Sequence, residues 1–109
     1  MNRFSILQKE KQCLICGTMQ NIHTHEVFFG RNRQKAIDDG CCVYLCGKHH
    51  NQSNYGVHFN RELDLSLKKV MENAWLKYYN KSIDEFITRY GRNYLWNLYA
   101  QRLEQVKHI

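Results

Sequence analysis

The sequence predicts an α+β fold in a single domain over residues 1–109: a cysteine- and histidine-rich half with two short strands up to residue 60, then a helical extension over 61–109. Three observations predict it. All five cysteines and five of the six histidines precede Phe59. Two short segments in that half are rich in β-branched, aromatic and Cys residues, as strands are. After residue 60, apolar residues recur at three- and four-residue steps, the period of a helix laid on a core. A chain of 109 residues with 43% apolar content has surface enough to bury for one core and little for a second.

The strands are expected around His23 to Phe29 and Cys41 to Leu45. Between them GRNRQKAIDDG is a polar connection bounded by glycines, its middle suited to a helical turn that Gly40 stops. Leu63, Leu67, Val70, Met71, Ala74 and Tyr78 form the stripe of a first long helix. In SIDEF, Ser82 and Glu85 stand three residues apart as a capping box, and Ile83, Phe86, Ile87 and Tyr90 give the buried face of a second helix that Gly91 ends. A third is expected from about Asn93, with Leu95, Leu98, Tyr99, Arg102, Leu103 and Val106 on one side. The tyrosines and tryptophans fall mostly on these stripes, which assigns them to core packing before base stacking.

The net charge is +6, from 16 Lys and Arg against 10 Asp and Glu, an excess that favours polyanionic partners such as nucleic acid. No apolar run approaches the roughly 20 residues of a membrane span, and Met1 to Glu10 holds no hydrophobic signal core. The expectation is a cytoplasmic protein with no membrane partner. In a reducing compartment an odd number of cysteines, two of them adjacent, fits a metal site better than a disulfide framework.

Cys13 and Cys16 in CLICG form a knuckle whose two-residue spacing brings both thiolates to one tetrahedral ion, with Gly17 allowing the tight turn. Cys46 and His49 in CGKH repeat the spacing and complete a structural Zn2+ site, with His50 as the alternative fourth ligand. Such a clip supplies folding free energy on the order of 10 kcal/mol to a half with few large aliphatic residues. Cys41 and Cys42 are read as strand residues, one of them facing the core. His23 and His25, two apart on a strand, share a face, and Glu26 points away unless the strand bulges. His50 opens the next helix. Histidines from a strand and from the following helix can close a second, divalent metal site, to which His58 can return from the far end of the NQSNYGV loop with Asn54 as a weaker oxygen ligand. Arg31, Arg33 and Lys35, next to that site, suit phosphate contact.

The stretches CLICG, HTHEVFFGRNR and VYLCGKHHNQ resemble the HNH family of ββα-metal nucleases, and more narrowly small phage-type HNH proteins. The resemblance covers Cys13 to about Asn60. It implies a zinc-stapled ββα-metal core that hydrolyses phosphodiester bonds of DNA, nicking or cutting it with Mg2+, Mn2+ or another divalent metal. By the same resemblance a first-strand histidine is the general base, an asparagine from the connection orients the water, and a helix histidine binds the metal. Carried over, His25 is the first-strand histidine, His50 the helix ligand and Asn32 the asparagine. Two assignments stay open: His25 as ligand with Glu26 or His23 as base, or His25 as the base itself. The implied setting is a phage or prophage protein in a bacterial host, with other phage recombination or packaging proteins as candidate partners. A non-catalytic, zinc-stabilised nucleic-acid-binding module is the competing function, and an accessory role in phage DNA packaging a third.

Overall fold

The computed structural model describes residues 3–53 and 56–95. Within them lie a two-stranded antiparallel sheet and four α-helices: β1 (Ile22–Glu26), α1 (Arg33–Asp39), β2 (Cys42–Cys46), α2 (Gly47–His50), α3 (Arg61–Tyr78) and α4 (Ile83–Tyr90). Short 3-10 turns at Gly30–Asn32 and Val57–Phe59 precede α1 and α3. The third helix expected from about Asn93 falls mainly on residues 96–109, outside the described residues, as does Asn54.

The strands pair from Ile22 opposite Cys46 to Glu26 opposite Cys42. The first strand therefore stops three residues short of the expected Phe29. Val27 N–H still reaches the Cys41 carbonyl, but at Gly40 the partner chain turns away and Phe28 and Phe29 have no strand beside them. Released from the ladder, Phe28 drops into the core against Phe86, Tyr90 and Tyr94, while Phe29 turns outward. Gly40 sits in the left-handed region (φ 74°) and ends α1, its N–H bonding Ile37 and the Cys41 N–H bonding Ala36. That pair of bonds is a Schellman motif, which satisfies the last carbonyls and feeds the chain directly into β2.

One apolar cluster joins the two halves, running from Cys13, Val27, Phe28, Val43 and Leu45 to Leu67, Met71, Trp75, Phe86 and Tyr90. On α3 the buried row is Leu67, Met71, Glu72 and Trp75. Val70 and Tyr78, expected on the buried stripe, are 50% and 60% exposed. The row of four-residue steps through Trp75 wins because its indole N–H donates to Asp39 at the end of α1. Asp39 also takes Arg89 through two nitrogens, at 2.6 and 2.8 Å, and the Tyr90 hydroxyl at 2.7 Å. A carboxylate bound by three side chains in this way locks α3 and α4 against the connection that carries the strands. The capping box at Ser82 and Glu85 is present, and Gly91 (φ 86°) closes α4.

Candidate metal centres

The knuckle is a turn closed by Gly17 N–H to the Cys13 carbonyl, with Gly17 at φ 79°. Leu14 N–H bonds the Tyr44 carbonyl, which docks the knuckle beside β2. That contact carries Cys13 and Cys16 to Cys46 at the end of the strand and His49 on the helix after it. Cys16 Sγ lies 3.8 Å from Cys46 Sγ, and His49 Nδ1 lies 3.6 Å from Cys13 Sγ and 3.2 Å from Cys46 Sγ. Tetrahedral zinc with ordinary bond lengths separates two sulfurs by about 3.8 Å and a sulfur and a nitrogen by about 3.6 Å. The four ligand atoms all lie within 4.8 Å of one another, and this cluster could hold a metal ion.

The thiols respond to their surroundings in opposite directions. Burial opposes ionisation of Cys13, but backbone N–H groups of Cys46, Cys16 and Ile15 aimed at its sulfur outweigh it and bring the pKa down to about 6. Cys46 is raised by burial and by the neighbouring sulfurs. Three thiolates cannot share so small a space without a cation among them. Cys41 and Cys42 are both buried and take no part: burial pushes Cys41 up to about 12 and Cys42 up to about 11. The Cys42 thiol donates to the Phe4 carbonyl, and Cys41 receives the Tyr90 hydroxyl.

A second cluster lies on the other side of α2. His49 and His50 are consecutive on a helix, so their side chains diverge by about 100°. One goes to the cysteines and the other to the histidines of β1. His50 Nδ1 is 2.8 Å from His23 Nδ1, and His50 Nε2 is 3.0 Å from His58 Nε2. The His25 ring centroid stands 5.2 Å from those of both His50 and His58. His25, His50 and His58 offer ligand atoms within 4.8 Å of one another. The 3.0 Å nitrogen separation fits two neighbouring bonds of about 2.1 Å at right angles. His25 is only 2% exposed, and its buried Nε2 has no hydrogen-bond partner among the described residues. Burial, reinforced by the His50, His58 and Lys68 charges, holds its pKa down at about 3, and burial with the charges of His58 and His23 takes His50 to about 4. Both rings are therefore neutral at pH 7, the form that donates a nitrogen lone pair to a metal.

Gly56 makes the return of His58 possible. A Cβ at that position would stand 2.7 Å from the His50 carbonyl oxygen, so only glycine lets the loop pass this close to the end of α2.

The other expected site residues are placed elsewhere. Glu26, next to His25 on the strand, points to the opposite face, where it pairs with Arg3 at 2.6 Å and Arg33 at 3.8 Å. The Asn32 amide donates to the Tyr90 carbonyl at 3.0 Å. Lys35 donates to the Arg89 carbonyl at 2.9 Å, a cation at the C-terminal end of α4 where the helix dipole favours it. Of the three expected phosphate contacts, Arg33 and Lys35 thus have partners within the chain, and Arg31 is exposed beside them. Sequence reasoning did not single out Phe29, whose ring stands beside His25 and His58, or Phe59, which lines the same groove as His58; the one available signal was their position next to GRN and His58.

No helix among the described residues is long and apolar enough to cross a membrane. Comparison of the chain with family models, with curated proteins and with solved structures finds no match in any of the three.

Proposed function

We propose that the chain is a metal-dependent DNA endonuclease of the HNH type, with a ββα-metal core formed by β1, β2 and α2 and stapled by zinc at Cys13, Cys16, Cys46 and His49. One observation carries this reading: three imidazoles from a strand, a helix and a loop converge, and the innermost presents a buried, unpartnered nitrogen. A buried polar atom without a partner costs free energy, so a ligand for it is the economical explanation. The donor set fits a divalent transition-type ion, which when bound would neutralise the departing oxygen of a phosphodiester and make water more acidic.

The chain's own residues have separable roles in this reading. His50 and His58 present their Nε2 atoms side by side, and His25 supplies the third nitrogen from the floor of the site. His23 at His50 Nδ1 fixes which His50 nitrogen keeps its proton, as an outer partner of a metal-binding histidine does. Glu26 is removed from the chemistry by Arg3, and Asn32 by Tyr90. That leaves no expected side chain among the described residues in the water-orienting role, and it is the specific observation favouring the second reading, a non-catalytic zinc-stabilised nucleic-acid-binding module. Partners in phage DNA recombination or packaging would suit either. Nicking of supercoiled plasmid separates the two readings. The endonuclease converts it to open circles with Mg2+ or Mn2+ and not without added metal, whereas retention of the plasmid on the protein without nicking under any divalent ion leaves only the binding module.

A further inference from the structure

Beside the three histidines lies a groove of about 420 Å³, lined by Phe29, Val57, His58, Phe59, Arg61 and Asp64. Its two phenylalanines are 44% and 64% exposed. The Phe29 ring stands 6.0 Å from His25 and 5.8 Å from His58, so the groove is continuous with the histidine cluster. Lys68 Nζ lies 4.2 Å over the Phe29 ring and pairs with Asp64 at 2.8 Å, which neutralises the acidic wall. Arg61 is exposed at the mouth and carries positive charge.

We infer that this groove is a base-stacking subsite: it takes the base of an unpaired nucleotide on Phe29 and Phe59 while the adjoining phosphate lies at the histidines. The inference rests on the phosphodiester reading of the histidine site and names its substrate as single-stranded or locally unpaired nucleic acid. Aromatic faces beside a backbone-binding site are how proteins hold single strands, because every base offers a π-face and the contact does not depend on sequence. An aromatic surface with Lys68 over one ring, Arg61 in its lining and a phosphate site within one ring's length is complementary to a nucleotide. A base still paired within a duplex stays stacked on its neighbours and does not reach these rings.

The test compares binding of a short labelled oligothymidylate with that of an abasic oligomer of equal length and charge, by fluorescence anisotropy without added divalent metal. The wild-type chain binds the oligothymidylate about 5- to 160-fold more tightly, the range that stacking of one base contributes. Phe59→Ala removes most of that preference without weakening binding of the abasic oligomer, and Phe59→Tyr restores it. Because Phe59 is 64% exposed, its truncation leaves the core intact. Equal affinity of the wild type for the two oligomers overturns the subsite, and does so even if plasmid nicking persists, which keeps the endonuclease reading separate. Failure to bind either oligomer overturns the subsite and the nucleic-acid reading together.

Discussion

The two metal clusters share one short helix and differ in almost everything else. On one side of α2, three thiols and His49 meet with their ligand atoms all within 4.8 Å of one another. On the other side, His50 joins His25 and His58 in an all-imidazole cluster whose edge opens on an exposed aromatic groove. Soft thiolates close a structural site around one ion, whereas fewer and harder ligands leave positions for water and substrate. On the proposed reading, adjacent residues of one helix serve stability and chemistry separately, so a change in either cluster should be felt in one property and not the other.

The largest expected effect is on the cysteine side. If the cysteine cluster holds the proposed zinc, Cys16→Ser should release it and lower stability by several kcal/mol, toward the order of 10 kcal/mol that a structural zinc site contributes. Metal content and thermal unfolding of the purified variant check this; an unchanged melting temperature would remove the structural role. Next comes the histidine side. His50→Ala should lower nicking by about 100- to 10,000-fold while zinc content and melting temperature hold, with part of the loss recovered at millimolar Mn2+. His25→Ala should behave alike if it is a ligand, and failure of Mn2+ to recover it alone would make His25 the base. Gly56→Ala is a subtler break. It must push the loop off the His50 carbonyl, so nicking should fall by at least about 10-fold through loss of His58 placement, since a displacement of about 1 Å can cost 100-fold. Zinc content in that variant should not change.

The smallest effect lies outside both clusters and serves as a control. Glu72 is fully buried on α3; one carboxylate oxygen accepts the Tyr94 N–H at 2.6 Å and the other has no partner among the described residues. Burial raises its pKa from 4.5 to about 6. The native state then binds an extra proton between those values, so the contribution of Glu72 to stability is greatest below pH 4.5 and is lost as pH rises through about 6. Glu72→Gln keeps the acceptor and removes the charge, and should stabilise the protein by about 1–2 kcal/mol at pH 8 and by nothing measurable at pH 4.5. Urea unfolding at the two pH values reads the difference.

The architecture was legible in the sequence where local chemistry decides it: the capping box at Ser82, the glycine stops at Gly40 and Gly91, the strand pair, and the four clip residues with matched spacings. What was not legible depends on partners distant in the chain. Val70 was expected inward on α3 by periodicity alone, but the bond from Trp75 to Asp39 rotates the helix face. The first strand was read through Phe29, whereas its length is set by where the opposite strand begins. Asn32 and Lys35 looked available because the turn at Tyr90 that takes them is nearly sixty residues away. The choice between His49 and His50 could not be made from spacing, since both follow Cys46 within reach; the divergence of neighbouring side chains on α2 makes it.

The separation of the two clusters is tested most directly by counting metal ions in one protein and its variant. Wild-type chain dialysed against a weak chelator should retain one zinc by elemental analysis and then take up one Mn2+, followed by electron paramagnetic resonance as loss of the free-ion signal. His50→Ala should retain the zinc and lose the Mn2+ equivalent. Loss of zinc from His50→Ala, or undiminished Mn2+ uptake by it, would contradict the assignment of the neighbouring histidines to different ions.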